Sequence, residues 1–164
     1  AERVAVWPKL VCQRLVDDRH TLTVAGIGRI EVETRVGWNP APQSADGIAY
    51  TAACFALAGH VDTARKLIAE LEEDHRWRAA GVVFNVGPPV ADAGNNEAAG
   101  PLMELVVEFW PNHYMALYHA GAARHALGDH GAAHGYLVRF LEHYDPDDGW
   151  RQSALGMIAE IESR

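Results

Sequence analysis

The segment "RHALGDHGAAHGY" (124–136) sets three histidines, His125, His130 and His134, among three glycines. Imidazole is a common metal ligand and a base suited to neutral pH, so such a cluster raises metal binding or proton transfer. His130 and His134 are four apart and share a helix face, which suits two-point metal binding. His119 and His125 are six apart, and a continuous helix places them on different faces. No His-Glu-x-x-His pattern occurs, and Gly131, Ala132 and Ala133 fill the gap between His130 and His134. The favoured reading is a solvated, histidine-rich surface, with His130 and His134 as the residual metal candidates and no cofactor expected.

Other chemistry is sparse. "GIG" (26–28) and "GVVFNVG" (81–87) lack the residues that place phosphates. Asp62 and Lys66, four apart, read as a surface pair. Ser44, Ser153 and Ser163 have no nucleophile-elbow context. An enzyme is therefore the less favoured class.

The chain of 164 residues is 49% hydrophobic and 22% charged, the balance of one globular domain with a real core. Residues 1–44 carry six Lys/Arg against five Asp/Glu, and residues 45–164 eight against seventeen. An acidic body disfavours nucleic acid and anionic membranes, which need a basic footprint. Cys12 and Cys54 form neither a metal pattern nor a disulfide framework, so free thiols in a reducing compartment are expected, with one bridge as the alternative. No apolar run is long enough to span a bilayer, and there is no signal peptide, so a cytoplasmic place is expected.

The positioning elements show internal repetition. Gly59 and Ala64 match Gly128 and Ala133 at a separation of 69, about twice a 34-residue period. A middle copy then falls at Gly94, with Ala99 at the same offset of five. Each glycine should end a helix in the left-handed conformation. Ala64, Leu67, Ile68 and Leu71 should share one inward face, as should Ala133, Tyr136, Leu137, Phe140 and Leu141. A last amphipathic helix should turn Trp150, Ala154, Leu155, Ile158 and Ile161 inward and cap the open end. In the middle copy, Pro88 and Pro89 should leave the first helix short, broken or replaced by a loop around 81–96. Asn95 or Asn96 should cap its second helix, which Pro111 ends. The five tryptophans, Trp7, Trp38, Trp77, Trp110 and Trp150, recur near element ends and are read as core bridges.

Residues 1–44 are not a repeat. "WPKLVCQRLVDD" reads as a short helix, and "HTLTVAGIGRIEVETRVGW" as a β-hairpin turning at 25–28. "NPAPQS" (39–44) reads as a linker, with Ser44 or Asp46 as the cap of the first repeat helix.

Gly121, Ala123, Gly128, Asp129, Ala133 and Leu141, closed by Asp145 and Pro146, resemble one tetratricopeptide (TPR) motif. Asn85, Val86, Gly87, Ala99 and Pro111 resemble a second, degenerate one, and Ala52, Phe55, Gly59 and Ala64 a first. The resemblance covers 45–164, as units of about 45–78, 79–112 and 113–147 with a capping helix at 148–164. It implies a mainly α fold, antiparallel helix pairs in a right-handed stack, and a concave groove that binds protein or peptide as a scaffold or accessory module. TPR domains that capture a C-terminal carboxylate use Lys, Arg and Asn on that groove. Here the matching positions are Ala49, Ala53, Phe84, Met115, Tyr118, Ala122 and His125, so a peptide would bind through apolar and aromatic contact. The candidate binding residues are Phe84, Asn85, Met115, Tyr118, His119 and His125. The alternative for this surface is burial against the N-terminal segment or a second copy of the chain. The rival function is an enzyme or small-molecule binder whose pocket is lined by His20, Trp38, Tyr50, Phe84, Asn85, His119 and His125.

Overall fold

The computed structural model describes residues 44–164, together with the backbone of two short strands, β1 (Thr21–Val24) and β2 (Gly28–Glu31). The strands pair antiparallel, with Leu22 opposite Ile30. The short helix and linker expected within 1–43 lie outside the described residues, as do Cys12, Trp7, Trp38 and His20. Residues 44–164 are helical and contain no strand, so the chain is mainly α. Contacts divide it into two compact units, 1–86 and 87–164.

In the first unit, α1 (Ala45–Leu57) packs on both α2 (Val61–Ala69) and α3 (Glu73–Val86). The Ser44 hydroxyl caps α1 by accepting from the Gly47 amide at 3.1 Å. The helix buries Ala49, Ala52, Ala53, Cys54 and Ala56. Side chains this small let a neighbouring backbone approach closely. Gly59 then turns the chain with φ +87°, a conformation that costs glycine nothing. α2 buries Ala64 and Ile68, and Leu71 follows on the same side. The surface pair on α2 is Arg65 with Asp62, not Lys66 with Asp62. Cys54 is disulfide-bonded, which corrects the expectation of free thiols.

The helix is broken beside the proline pair, as expected. α3 runs unbroken to Val86, and the break falls at Gly87. Pro88 and Pro89 then open a five-residue helix, α4 (Pro88–Asp92). A first-turn amide has no intrahelical acceptor, so proline loses nothing there.

The second unit is built around α6. Besides α4 it contains α5 (Asn96–Phe109), α6 (Tyr114–Ala126), α7 (His130–His143) and α8 (Gly149–Glu162). α6 lies against α5, α7 and α8. Asn95, Asp129 and Asp148 cap α5, α7 and α8 with side-chain oxygens, each accepting amides of the first turn. Leu102, Met103, Leu105, Val106, Leu117, Leu137 and Phe140 are fully buried. Each contributes about 1.5–3 kcal/mol by leaving water. Gly94 and Gly128 have φ of +74° and +80°. With Gly59 they are the positive-φ glycines among the described residues, at the spacing read from the sequence. Ala64, Ala99 and Ala133, five residues after each, are all fully buried.

Two inward assignments are corrected. Trp150 and Leu155 are 41% and 42% exposed. Among the described residues α8 packs against α7 and α6, and Ala154 and Ile158, four apart, occupy the buried side. Trp77 is also exposed, with the Arg78 guanidinium 5.4 Å from its ring centre.

Ala133→Leu should drive a branched side chain into the fully buried side of α7. Overpacking of this kind costs about 1–3 kcal/mol. Thermal unfolding followed by circular dichroism should show the lowered midpoint. An unchanged midpoint would mean that the alanine is not required for the packing.

Candidate functional site

The α6 residues Met115, Tyr118, Ala122 and His125 recur at helical spacing and are all half-buried. Their face runs beside α8. The Tyr118 hydroxyl donates to Ser153 Oγ at 2.9 Å, and the Trp150 ring stands edge-on to Tyr118 at 4.9 Å. Further along, His125 Nε2 lies 3.2 Å from Glu160 Oε2. That distance suits an ion pair when the ring is protonated, although the buried nitrogen makes no hydrogen bond among the described residues. The expected open face is therefore partly occupied by the C-terminal helix.

His119 is 8% exposed. Its ring meets Tyr118 at 5.5 Å and Trp150 at 6.0 Å, both edge-on. It supports the aromatic side chains that reach the surface and is itself withdrawn from a partner. Burial lowers its pKa below 6.5, against an opposing pull from Asp92. His113 behaves similarly. Its Nδ1 caps α6 by accepting from the Ala116 amide at 3.2 Å, and Trp110 stands edge-on to it at 4.5 Å. Burial lowers its pKa, against a backbone hydrogen bond that raises it.

Phe84 and Asn85 belong to the first unit, on α3. Phe84 is half-buried and Asn85 exposed. Tyr50, on α1, is exposed. His130 and His134 are not brought together for a metal. His134 reaches Glu162 at 3.3 Å, whereas His130 has its ring 5.9 Å from His125 and a buried Nδ1 with no hydrogen bond among the described residues. No group of three or more His, Cys, Asp or Glu among those residues is arranged to hold a metal ion.

Two arrangements escaped the sequence reading. Glu104 of α5 and Arg124 of α6 form a two-pronged pair, with Nε–Oε1 at 2.5 Å and Nη2–Oε2 at 2.7 Å. Asp129, the cap of α7, stands 3.7 Å from the same guanidinium. The hydrogen bond to Glu104 raises the Arg124 pKa. The pair joins residues 20 apart in sequence, and no local pattern announces it. The second arrangement is a chain of rings. Tyr114 meets Tyr144 at 5.3 Å, Tyr144 stacks on Phe140 at 4.8 Å, and Phe140 meets Tyr118 at 5.3 Å. The Tyr144 hydroxyl donates to Asp148 Oδ2 at 2.5 Å, which pushes its pKa up to about 12 and lowers that of Asp148.

Comparison with protein-family models and with curated proteins gives no match to this chain. The α6 face offers no nucleophile–base pair. It presents the Tyr118 ring, the Met115 thioether and the His125 imidazole.

The histidines set a pH dependence. Both His113 and His119 have pKa values below the ordinary 6.5, so the unfolded chain takes up protons first as the pH falls. Stability from the two neutral rings is complete above about pH 6.5 and declines as the pH drops toward their folded-state values. Protonating His113 also removes the lone pair that caps α6. Urea midpoints should fall between about pH 7.5 and pH 5.5. His113→Asn, which keeps a capping oxygen, combined with His119→Gln should flatten that slope. An equal slope in the double variant would assign the titration to other groups.

Proposed function

We propose that this protein is a TPR-like binding module that engages a protein or peptide through the α6 face of its second unit. One observation carries the reading. Gly59, Gly94 and Gly128 take the left-handed conformation at spacings of 35 and 34, and a fully buried alanine follows each by five residues. A helix–turn–helix repeat requires both features: a glycine to reverse the chain and a small residue where the helices meet. Repeats of this type work by presenting a continuous helical surface to a partner. Met115, Tyr118, Ala122 and His125 supply apolar and aromatic contact without a basic clamp, which favours an apolar helix or an extended peptide over a free carboxylate.

Ala122 stands mid-face and is half-buried. Ala122→Arg places a long charged side chain on that surface without altering Tyr118 or His125 themselves. A partner captured by the wild-type protein should bind the variant more weakly by about 1–3 kcal/mol in calorimetric titration, the scale of hot-spot changes. Helicity should be unchanged. Equal affinity would place binding elsewhere on the protein.

A further inference from the structure

We propose that one end of the second unit, where the α5–α6 and α7–α8 turns meet, binds an arginine-bearing segment of polypeptide. Antiparallel helices bring the end of α5, the start of α6, the end of α7 and the start of α8 to that end. They carry a continuous run of rings there, from Tyr114 through Tyr144, Phe140 and Tyr118 to Trp150. The two ends of the run are open, with Tyr114 43% and Trp150 41% exposed. This surface lies beyond the mid-helix position that Ala122 marks, and it does not depend on the repeat reading.

Charge selects the occupant. Residues 87–164 contain eleven Asp/Glu, four Arg and no Lys. "EHYDPDD" (142–148) puts four of those carboxylates beside the rings, and Asp145 and Asp147 are exposed. The cations nearby are engaged with the backbone. Arg139 donates to the Pro111 carbonyl at 3.0 Å, and Arg151 to the Tyr144 carbonyl at 2.8 Å. Among the described residues neither Asp145 nor Asp147 forms an ion pair, and Asp147 accepts one hydrogen bond, from Gln152 Nε2 at 2.7 Å.

A guanidinium meets both demands. Its plane stacks on an aromatic face while its edge donates two parallel hydrogen bonds to a carboxylate. A trimethylated ammonium would stack but has no N–H to donate to a carboxylate. Nucleic acid is repelled by the same charge.

The test uses the full chain and a dye-labelled nonapeptide of alternating glycine and arginine, at about 150 mM salt to screen diffuse attraction. Fluorescence anisotropy should show saturable binding, and the Trp150 indole resonance should move while those of Trp77 and Trp110 stay. Tyr114→Leu with Trp150→Leu keeps apolar bulk but removes the ring faces, and should weaken binding about ten-fold, the scale of two such contacts. Asp145→Asn with Asp147→Asn should also weaken it. Failure to saturate, a Trp150 resonance that does not move, or a Leu variant that binds like the wild type while the Asn variant does not would each overturn the proposal. The last result would reduce it to charge attraction alone. The alternating glycine–glutamate peptide should not bind.

Discussion

The second unit depends on how closely α6 can approach α7. Gly121 stands at that crossing. A Cβ built there would lie 2.7 Å from Leu137 Cγ and 2.9 Å from its Cδ2, closer than nonbonded carbons allow. The missing side chain lets Leu137 occupy the space and bury completely. Ala133 and Phe140 lie one turn to either side of Leu137 on α7 and are fully buried as well. On the other flank of α6, a Cβ on Gly100 would meet the Ala123 methyl at 3.4 Å, an ordinary contact. The α6–α7 crossing is thus the tight one.

Close crossing in the middle forces the bulk to the ends. α6 has small residues at Ala116, Ala120, Gly121 and Ala123, so its large side chains concentrate at Tyr114, Met115, Leu117 and Tyr118 near its start. Phe140 and Tyr144 meet them from α7, and Trp150 from α8. The aromatic run is where an alanine-lined helix places the volume its waist excludes. Across the waist, toward the far end of α6, the Glu104–Arg124–Asp129 group ties three elements by charge. Glu104 and Arg124 are half-buried while Asp129 is exposed, so the Glu104–Arg124 hydrogen bonds are stronger than those of a surface pair but carry a desolvation cost.

What could be read in the chain follows from the range of the interaction concerned. Left-handed glycines and the alanines five residues later are local demands of a tight helix–helix turn, and Gly59, Gly94, Gly128, Ala64, Ala99 and Ala133 are all found as expected. The caps Ser44 and Asn95 are local too. The break expected at Pro88 and Pro89 is found at Gly87, but the short helix that the prolines open was not foreseen, because proline is harmful inside a helix and harmless at its start. Trp150 and Leu155 have the inward periodicity of a covered helix, yet among the described residues α8 finds a neighbour on one side alone. Periodicity reports a helix's apolar face and not how much of it finds a partner. Glu104 with Arg124, and Tyr114 with Tyr144, are pairings across the fold that no spacing along the chain encodes. Of the candidate site, Met115, Tyr118 and His125 were legible as one helical face, while the presence of α8 beside them was not.

That neighbour sets the energetics of the face. α8 buries Ala154 and Ile158, far less apolar volume than α6 or α7 contribute. Its other ties among the described residues include the Trp150 ring against Tyr118 and His119, Arg151 to the Tyr144 carbonyl, Tyr118 to Ser153, His125 to Glu160 and His134 to Glu162. The two glutamates are mostly solvent-exposed, and ion pairs in such settings contribute roughly 0–1 kcal/mol. Local opening of a folded protein begins where buried apolar contact is least. By this measure α8 is held less firmly than the α6–α7 core on which it rests. Exposing the α6 face by moving α8 therefore costs less than separating α6 from α7, and the half-buried ring of Tyr118 lies at that weaker seam.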